Sequence, residues 1–135
     1  MRAVIDTNVL FEGLTKQGGA CGFIVSTWRA RLIRPCVSNA LVYEYEDVLV
    51  RKLSPQRWQQ LEPVLKHLLT QVEPVNIHYS WRPSSPDPGD ELVIDCALNA
   101  DAAVVTFNRR DFRVAQQALG LIVLSPAEFV LELAK

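Results

Sequence analysis

The chain has 135 residues, a formal net charge of −1, 49% apolar residues and 21% charged residues. These values describe one ordinary globular domain, 1–135, long enough to fold without a disulfide or structural zinc. They argue against a nucleic-acid binder that works by bulk positive charge. Cys21, Cys36 and Cys96 form an odd set with no CxxC and read as buried thiols in a reducing cytoplasm. His67 and His78 lie too far from a cysteine pair to suggest zinc. No run approaches the roughly 20 apolar residues of a membrane span, and the first apolar run is too short for a signal peptide.

The first run, Arg2-Ala3-Val4-Ile5, is a short buried-type strand that ends on Asp6-Thr7-Asn8. Leu10 and Phe11 suggest a short helical turn after it. A loop follows at Lys16-Gln17-Gly18-Gly19. Residues 20–30 read as a helix with Phe23, Ile24, Thr27 and Trp28 on its apolar face. Residues 32–37 are expected as a second strand, interrupted by Pro35. Ser38 caps a helix to about Lys52, with Leu41, Val42, Tyr45, Val48 and Leu49 at helical spacing. Ser54-Pro55 opens another helix to about Gln71, which Pro63 is expected to kink or split.

Residues 72–79 suggest a third strand at an edge, because Pro74 lacks a backbone donor. A stiff loop, Arg82-Pro83-Ser84-Ser85-Pro86, leads to Asp87-Pro88-Gly89-Asp90, a helix start with Asp87 as cap. That helix carries Leu92, Val93, Ile94, Ala97 and Leu98. Residues 102–106 form a fourth strand, and a loop and helix stopped by Gly120 follow. Residues 121–124 form a fifth strand, and Ser125-Pro126 opens a last helix to Leu133. Short, continuously apolar strands alternating with helices predict an α/β fold. The expected architecture has three layers, α/β/α, around a central, mostly parallel five-stranded sheet.

Parallel strands aim their C-terminal ends at one rim, and ligands bind there. Asp6 ends the first strand. Asp87, Asp90, Glu91 and Asp95 lie on the helix before the fourth strand. Thr106, Asn108 and Asp111 follow that strand, and Glu44 lies on the helix after the second. Crowded carboxylates repel one another unless a cation joins them. Mg²⁺ or Mn²⁺, which take oxygen ligands and keep several waters, suit such a cluster. With such an ion, acids alone can run phosphodiester hydrolysis without His or Cys.

Four segments carry a family resemblance in order along nearly the whole chain. They are Val4-Ile5-Asp6-Thr7-Asn8-Val9-Leu10, the stretch Ser38 to Glu44, the stretch Asp87 to Ala97, and Val104-Val105-Thr106-Phe107-Asn108-Arg109-Arg110-Asp111-Phe112. Together they resemble PIN-domain ribonucleases of the kind found as VapC-type toxins in toxin–antitoxin pairs. The resemblance implies that Asp6, Glu44 and Asp90 hold the metal, and that Asp95 matches a further acid found in some branches. It implies RNA cleavage with Mg²⁺ or Mn²⁺, a homodimer, and a small antitoxin as partner. Asn108 stands where many relatives have a fourth acid, so the second metal position is in doubt. Asp111 either fills that gap or caps the following helix.

Each residue also has a plainer role. Asp6 would cap the turn after the first strand, and Thr7 and Asn8 would fix the loop, with Asn8 alternatively positioning a water at the metal. Glu44 taken alone is a solvated helix residue beside Glu46 and Asp47. Asp87 reads as a cap, and Asp90 as cap or ligand. Arg109, Arg110 and Arg113 are either a solvated face or phosphate contacts. Arg51, Lys52 and Arg57 read as a solvated helix junction. Trp81 would stack on a base or seal a dimer contact.

Two other activities compete. A dehalogenase-like phosphatase with Asp6 as nucleophile wants a second acid where Asn8 stands. A receiver domain wants a lysine after the last strand, and Leu124-Ser125-Pro126 has none. A non-catalytic binding module finds support in Asn108, and an RNA-processing nuclease outside a toxin–antitoxin pair would use the same acids.

Overall fold

The computed structural model describes residues 1–16, 18–82 and 85–135. The loops expected at 16–19 and 82–86 include Gln17, Pro83 and Ser84, which lie outside the described residues. The elements in order are β1 (Ala3–Ile5), α1 (Thr7–Thr15), α2 (Gly19–Arg29), β2 (Cys36–Val37), α3 (Asn39–Lys52), α4 (Pro55–Leu69) and β3 (Glu73–Pro74). Then come α5 (Pro88–Ala100), β4 (Ala103–Val105), a 3-10 turn (Arg109–Phe112), α6 (Arg113–Leu119), β5 (Val123–Leu124) and α7 (Pro126–Leu133).

The strands are parallel, as the apolar runs imply, and the fold is α/β. They form two ladders rather than one five-stranded sheet. One has the order β1-β4-β5, with Val4 opposite Val104 and Val104 opposite Val123; the other joins β2 to β3. The separation has a local cause. The Asp6 amide donates to Val105 of β4, so the Ile5 carbonyl, one residue back, faces the other side of β1. That carbonyl accepts from the Tyr45 hydroxyl of α3 at 2.5 Å, in place of a strand partner. Strands of two or three residues leave few further groups for a ladder.

The first helix is longer than its sequence suggests. Gly13 breaks the propensity of α1, but a Cβ there would lie 2.6 Å from the Cys21 carbonyl oxygen and 2.4 Å from Val25. The glycine therefore serves the close packing of α1 on α2. Pro63 sits inside α4 without dividing it, so the expected split does not occur. Trp28 of α2 is fully buried and donates from Nε1 to the Leu68 carbonyl at the end of α4, 2.9 Å away.

α5 packs against β1, β2 and β4, and α7 packs against β5 and α2. The core between them includes Ile5, Ile24, Leu41, Ile94, Val105, Phe112 and Phe129. Burying one such large side chain contributes about 1.5–3 kcal/mol. All three cysteines are free and buried. Among the described residues, no helix is long and apolar enough to cross a membrane.

Candidate active site

The C-terminal end of β1 delivers Asp6 to the rim of the larger ladder. The next residue starts α1, so Asp6 is also that helix's N-cap. Its carboxylate is buried and held at both oxygens: the Thr7 amide donates to Oδ1 at 2.7 Å and the Thr106 hydroxyl to Oδ2 at 2.6 Å. Thr106 is the first residue beyond β4, and its Oγ1 in turn accepts from the Asn108 amide at 3.0 Å. The two parallel strand ends are thus tied together through one acid. Capping and site roles, open alternatives for Asp6 on sequence grounds, are geometrically compatible.

Asp90 reaches the same rim from the first turn of α5. The entry of that helix is set by Asp87, which accepts from the Gly89 amide at 2.9 Å, and by Pro88 at the first helical position. Asp90 is buried. Burial first, then the charges of Asp6, Asp87 and Asp111, push its carboxyl up to about 7. Asp6 is also raised, mainly by burial, with the Thr106 and Thr7 hydrogen bonds opposing and the charges of Asp87 and Asp111 adding. The mutual influence of these groups expresses their crowding.

Glu44 lies in the second turn of α3 and is half-buried. Its side chain crosses to the start of α5: a Cβ on Gly89 would be 3.1 Å from Glu44 Oε1 and 3.4 Å from Asp87 Oδ1. The glycine leaves the Glu44 carboxylate free to approach the helix end, where a Cβ would press it back by a few tenths of an ångström. Asn8, in the first turn of α1, carries a buried Oδ1 with no hydrogen-bond partner among the described residues.

A cleft of about 310 Å³ joins these groups. Asp6, Asn8, Glu44, Asp87, Asp90 and Asn108 line it. Arg51 and Lys52 line it as well, although in the sequence they read as a solvated helix junction. The signal for them was present: they follow Glu44 by seven and eight residues, two turns along the same face of α3.

The other sequence candidates lie as follows. Asp111, in the 3-10 turn, acts electrostatically on both Asp6 and Asp90. Asp95, on α5, is buried but does not line the cleft; Arg82 clasps it with two bonds, at 2.7 Å and 2.5 Å, and also contacts Glu91 at 3.6 Å. Arg109 pairs with Glu128 of α7 at 3.0 Å. Arg110, Phe107 and Trp81 are exposed.

Among the described residues, no three His, Cys, Asp or Glu side chains are drawn into a preformed metal cage. Mg²⁺ keeps several waters and is often held by one or two carboxylates, so a loose set of acids suffices. The donors here are all hard oxygens: the Asp6 and Asp90 carboxylates, whose charged forms burial and then neighbouring charges disfavour, a third carboxylate on Glu44, and the Asn8 amide oxygen, which has no partner among the described residues. Such a donor set fits a hard divalent cation and offers nothing to a soft one.

The comparisons with known proteins agree with this architecture. A PIN domain profile matches residues 2–110. No curated protein matches the sequence. The chain is similar in fold to the crystal structure of VapBC2 from Rickettsia felis bound to a DNA fragment from their promoter. The TM-score is 0.66 at 15% identity, over 93% of this chain and 98% of that one. It is likewise similar to FitAcB from Neisseria gonorrhoeae, with a TM-score of 0.61 at 17% identity over the same shares. With a matching profile over most of its length and the parallel β1-β4-β5 ladder carrying acids at its C-terminal rim, the chain belongs to the PIN domain family.

Proposed function

We propose that the chain is a metal-dependent endoribonuclease, the toxin of a toxin–antitoxin pair, acting as a homodimer in the cytoplasm. The observation that carries the reading is the meeting of Asp6 and Asp90, 84 positions apart in the sequence, in one buried, charge-strained rim. Asp6, Glu44 and Asp90 would hold Mg²⁺ or Mn²⁺, with Asn8 supplying a further oxygen. When bound, the ion would offset the negative charge of the acids and of the phosphodiester and polarise a phosphoryl oxygen.

The chain's own groups have separate tasks. Thr106 and the Thr7 amide fix the Asp6 carboxylate, so it does not reorient as charge builds in the transition state. Gly89 keeps the start of α5 open to Glu44. Asp90, whose carboxyl is raised towards neutral pH, would receive a proton from an attacking water. Asn108 donates or accepts hydrogen bonds at the position of the missing fourth acid, and Asp111 supplies a carboxylate from the adjoining turn. Asp95, bound to Arg82, is assigned to holding α5 against the preceding loop rather than to the reacting phosphate. The toxin assignment and the antitoxin partner are supported by the shared fold with VapBC2 and FitAcB. An apolar hollow between α2 and α7, walled by Phe23, Leu32, Ile33, Val130 and Leu133, supports the dimer.

The test is RNA cleavage by the purified protein with Mg²⁺ or Mn²⁺. Activity that Asp6→Asn abolishes supports the reading; cleavage undiminished in Asp6→Asn rejects it.

A further inference from the structure

We infer that Arg51 and Lys52, at the C-terminal end of α3, form a phosphate-binding wall of the acidic cleft and hold single-stranded RNA at a phosphate beside the one that reacts. The inference deepens the nuclease reading, because it names the surface on which the substrate backbone would lie.

Both residues line the same cleft as Asp6, Asp90 and Asn108. Their register explains why. Glu44, Val48, Arg51 and Lys52 recur at helical spacing, so one face of α3 carries an acid at one end and two cations at the other. Seven to eight residues correspond to about 10–12 Å along the helix. That offset is too long for the phosphate at the acids and suits a neighbouring one.

The pairing pattern of the cations gives the second argument. In a cleft rich in carboxylates, Lys52 has no acid partner among the described residues. Its ammonium lies 5.2 Å from the centre of the Phe11 ring of α1. The ring fixes the position of the charge without cancelling it. Among the described residues, the acid partner of Arg51 is Asp47, one turn back, and both side chains are about 60% exposed. Such an exposed pair is weak and screened, so a phosphate can replace the carboxylate. By contrast, Arg82 is engaged by the buried Asp95 and by Glu91, and Arg109, which the sequence offered as an RNA contact, does not line the cleft and pairs with Glu128 of α7. Electrostatics favours such a wall: an RNA backbone approaching Asp6, Glu44, Asp87 and Asp90 is repelled, and fixed cations beside them lower that repulsion at the phosphates the metal does not touch.

The experiment measures binding of a fluorescent single-stranded oligoribonucleotide by anisotropy, in EDTA, over a salt series. The proteins are wild type, Lys52→Gln, Arg51→Gln/Lys52→Gln, Lys52→Arg and the remote control Lys66→Gln. Each lost phosphate contact should make the plot of log affinity against log salt shallower by about 0.7. The wall is supported if the slope falls by that amount in Lys52→Gln, falls further in the double variant, and is kept in Lys52→Arg and Lys66→Gln. Unchanged affinity and slope in the double variant, or no RNA binding by the wild type at low salt, overturns it. In cleavage, Lys52→Gln and the double variant should raise KM by a larger factor than they lower kcat, while Lys52→Arg and Lys66→Gln should keep the wild-type KM. Since binding is read without metal, loss of the slope change overturns the wall alone, while cleavage by Asp6→Asn overturns the catalytic reading alone.

Discussion

Replacing Asp90 with Asn should stabilise the metal-free protein, and the gain should grow with pH. The Asp90 carboxyl is pushed up to about 7 in the fold, against an ordinary 3.8. The folded chain therefore holds this proton more tightly than the unfolded chain. Its stabilising contribution is complete below about pH 4 and is lost as pH rises towards and through 7. The gap between 3.8 and about 7 is roughly three pH units. At about 1.4 kcal/mol for each, ionising Asp90 in place costs at most about 4 kcal/mol. The cleft opens to solvent at Asp87 and Asn108, which screens the charge, so a loss of about 1–2 kcal/mol is the better expectation. Asparagine has nearly the same volume, keeps an acceptor for Ser85, and never ionises. For a chain of this size, 1–2 kcal/mol corresponds to about 4–8 °C in Tm. Thermal unfolding in EDTA should show little difference between wild type and Asp90→Asn at pH 4, and a higher Tm for the variant at pH 7.5. Addition of Mn²⁺ at pH 7.5 should raise the wild type and leave the variant almost unmoved. A variant no more stable than wild type at pH 7.5, or equally favoured at both pH values, would refute the reasoning.

Three further substitutions or measurements probe other parts of the site. Asn108→Asp restores a fourth acid at the rim; it should lower the metal-free Tm at pH 7.5 by a few degrees and tighten Mn²⁺ binding several-fold, both readable in the same melts. Gly89→Ala places a Cβ 3.1 Å from Glu44 Oε1. The flexible glutamate can swing aside, so the fold should survive with Tm within a few degrees while Mn²⁺ affinity falls. Light scattering at micromolar concentration should give twice the 15.2 kDa chain mass, and Leu133→Glu, in the apolar hollow, should return the monomer.

The parts of the fold that sequence made legible are those with local chemistry. Ser125 and Pro126 mark the start of α7, and the structure adds Glu128, which completes both bonds of a capping box with Ser125. Asp87 and Pro88 mark the entry of α5 in the same way. The convergence of Asp6 and Asp90 followed from parallel topology, which needs only strand order and direction. What escaped depended on contacts between distant residues. The full length of α1 escaped, because the close packing at Gly13 that accompanies it is against the Cys21 carbonyl of another helix. The split of the strands into two ladders turned on the Tyr45 hydroxyl occupying Ile5, a pairing across 40 positions. Asp95 read as one more acid on the site helix, and its clasp by Arg82 from the preceding loop has no local signal. Arg51 and Lys52 were within reach, since the helical period from Glu44 places them on its face.

The central claim is that Asp6, Glu44 and Asp90 act together as one site for a divalent cation. Calorimetric titration of Mn²⁺ into the metal-free protein at pH 7.5 tests it most directly, with Asp6→Asn and Glu44→Gln alongside and their folding checked by circular dichroism. Saturable binding in the wild type, weakened at least tenfold in each folded variant, is the expected result. Binding of equal strength in all three proteins, or none in the wild type, would contradict the account.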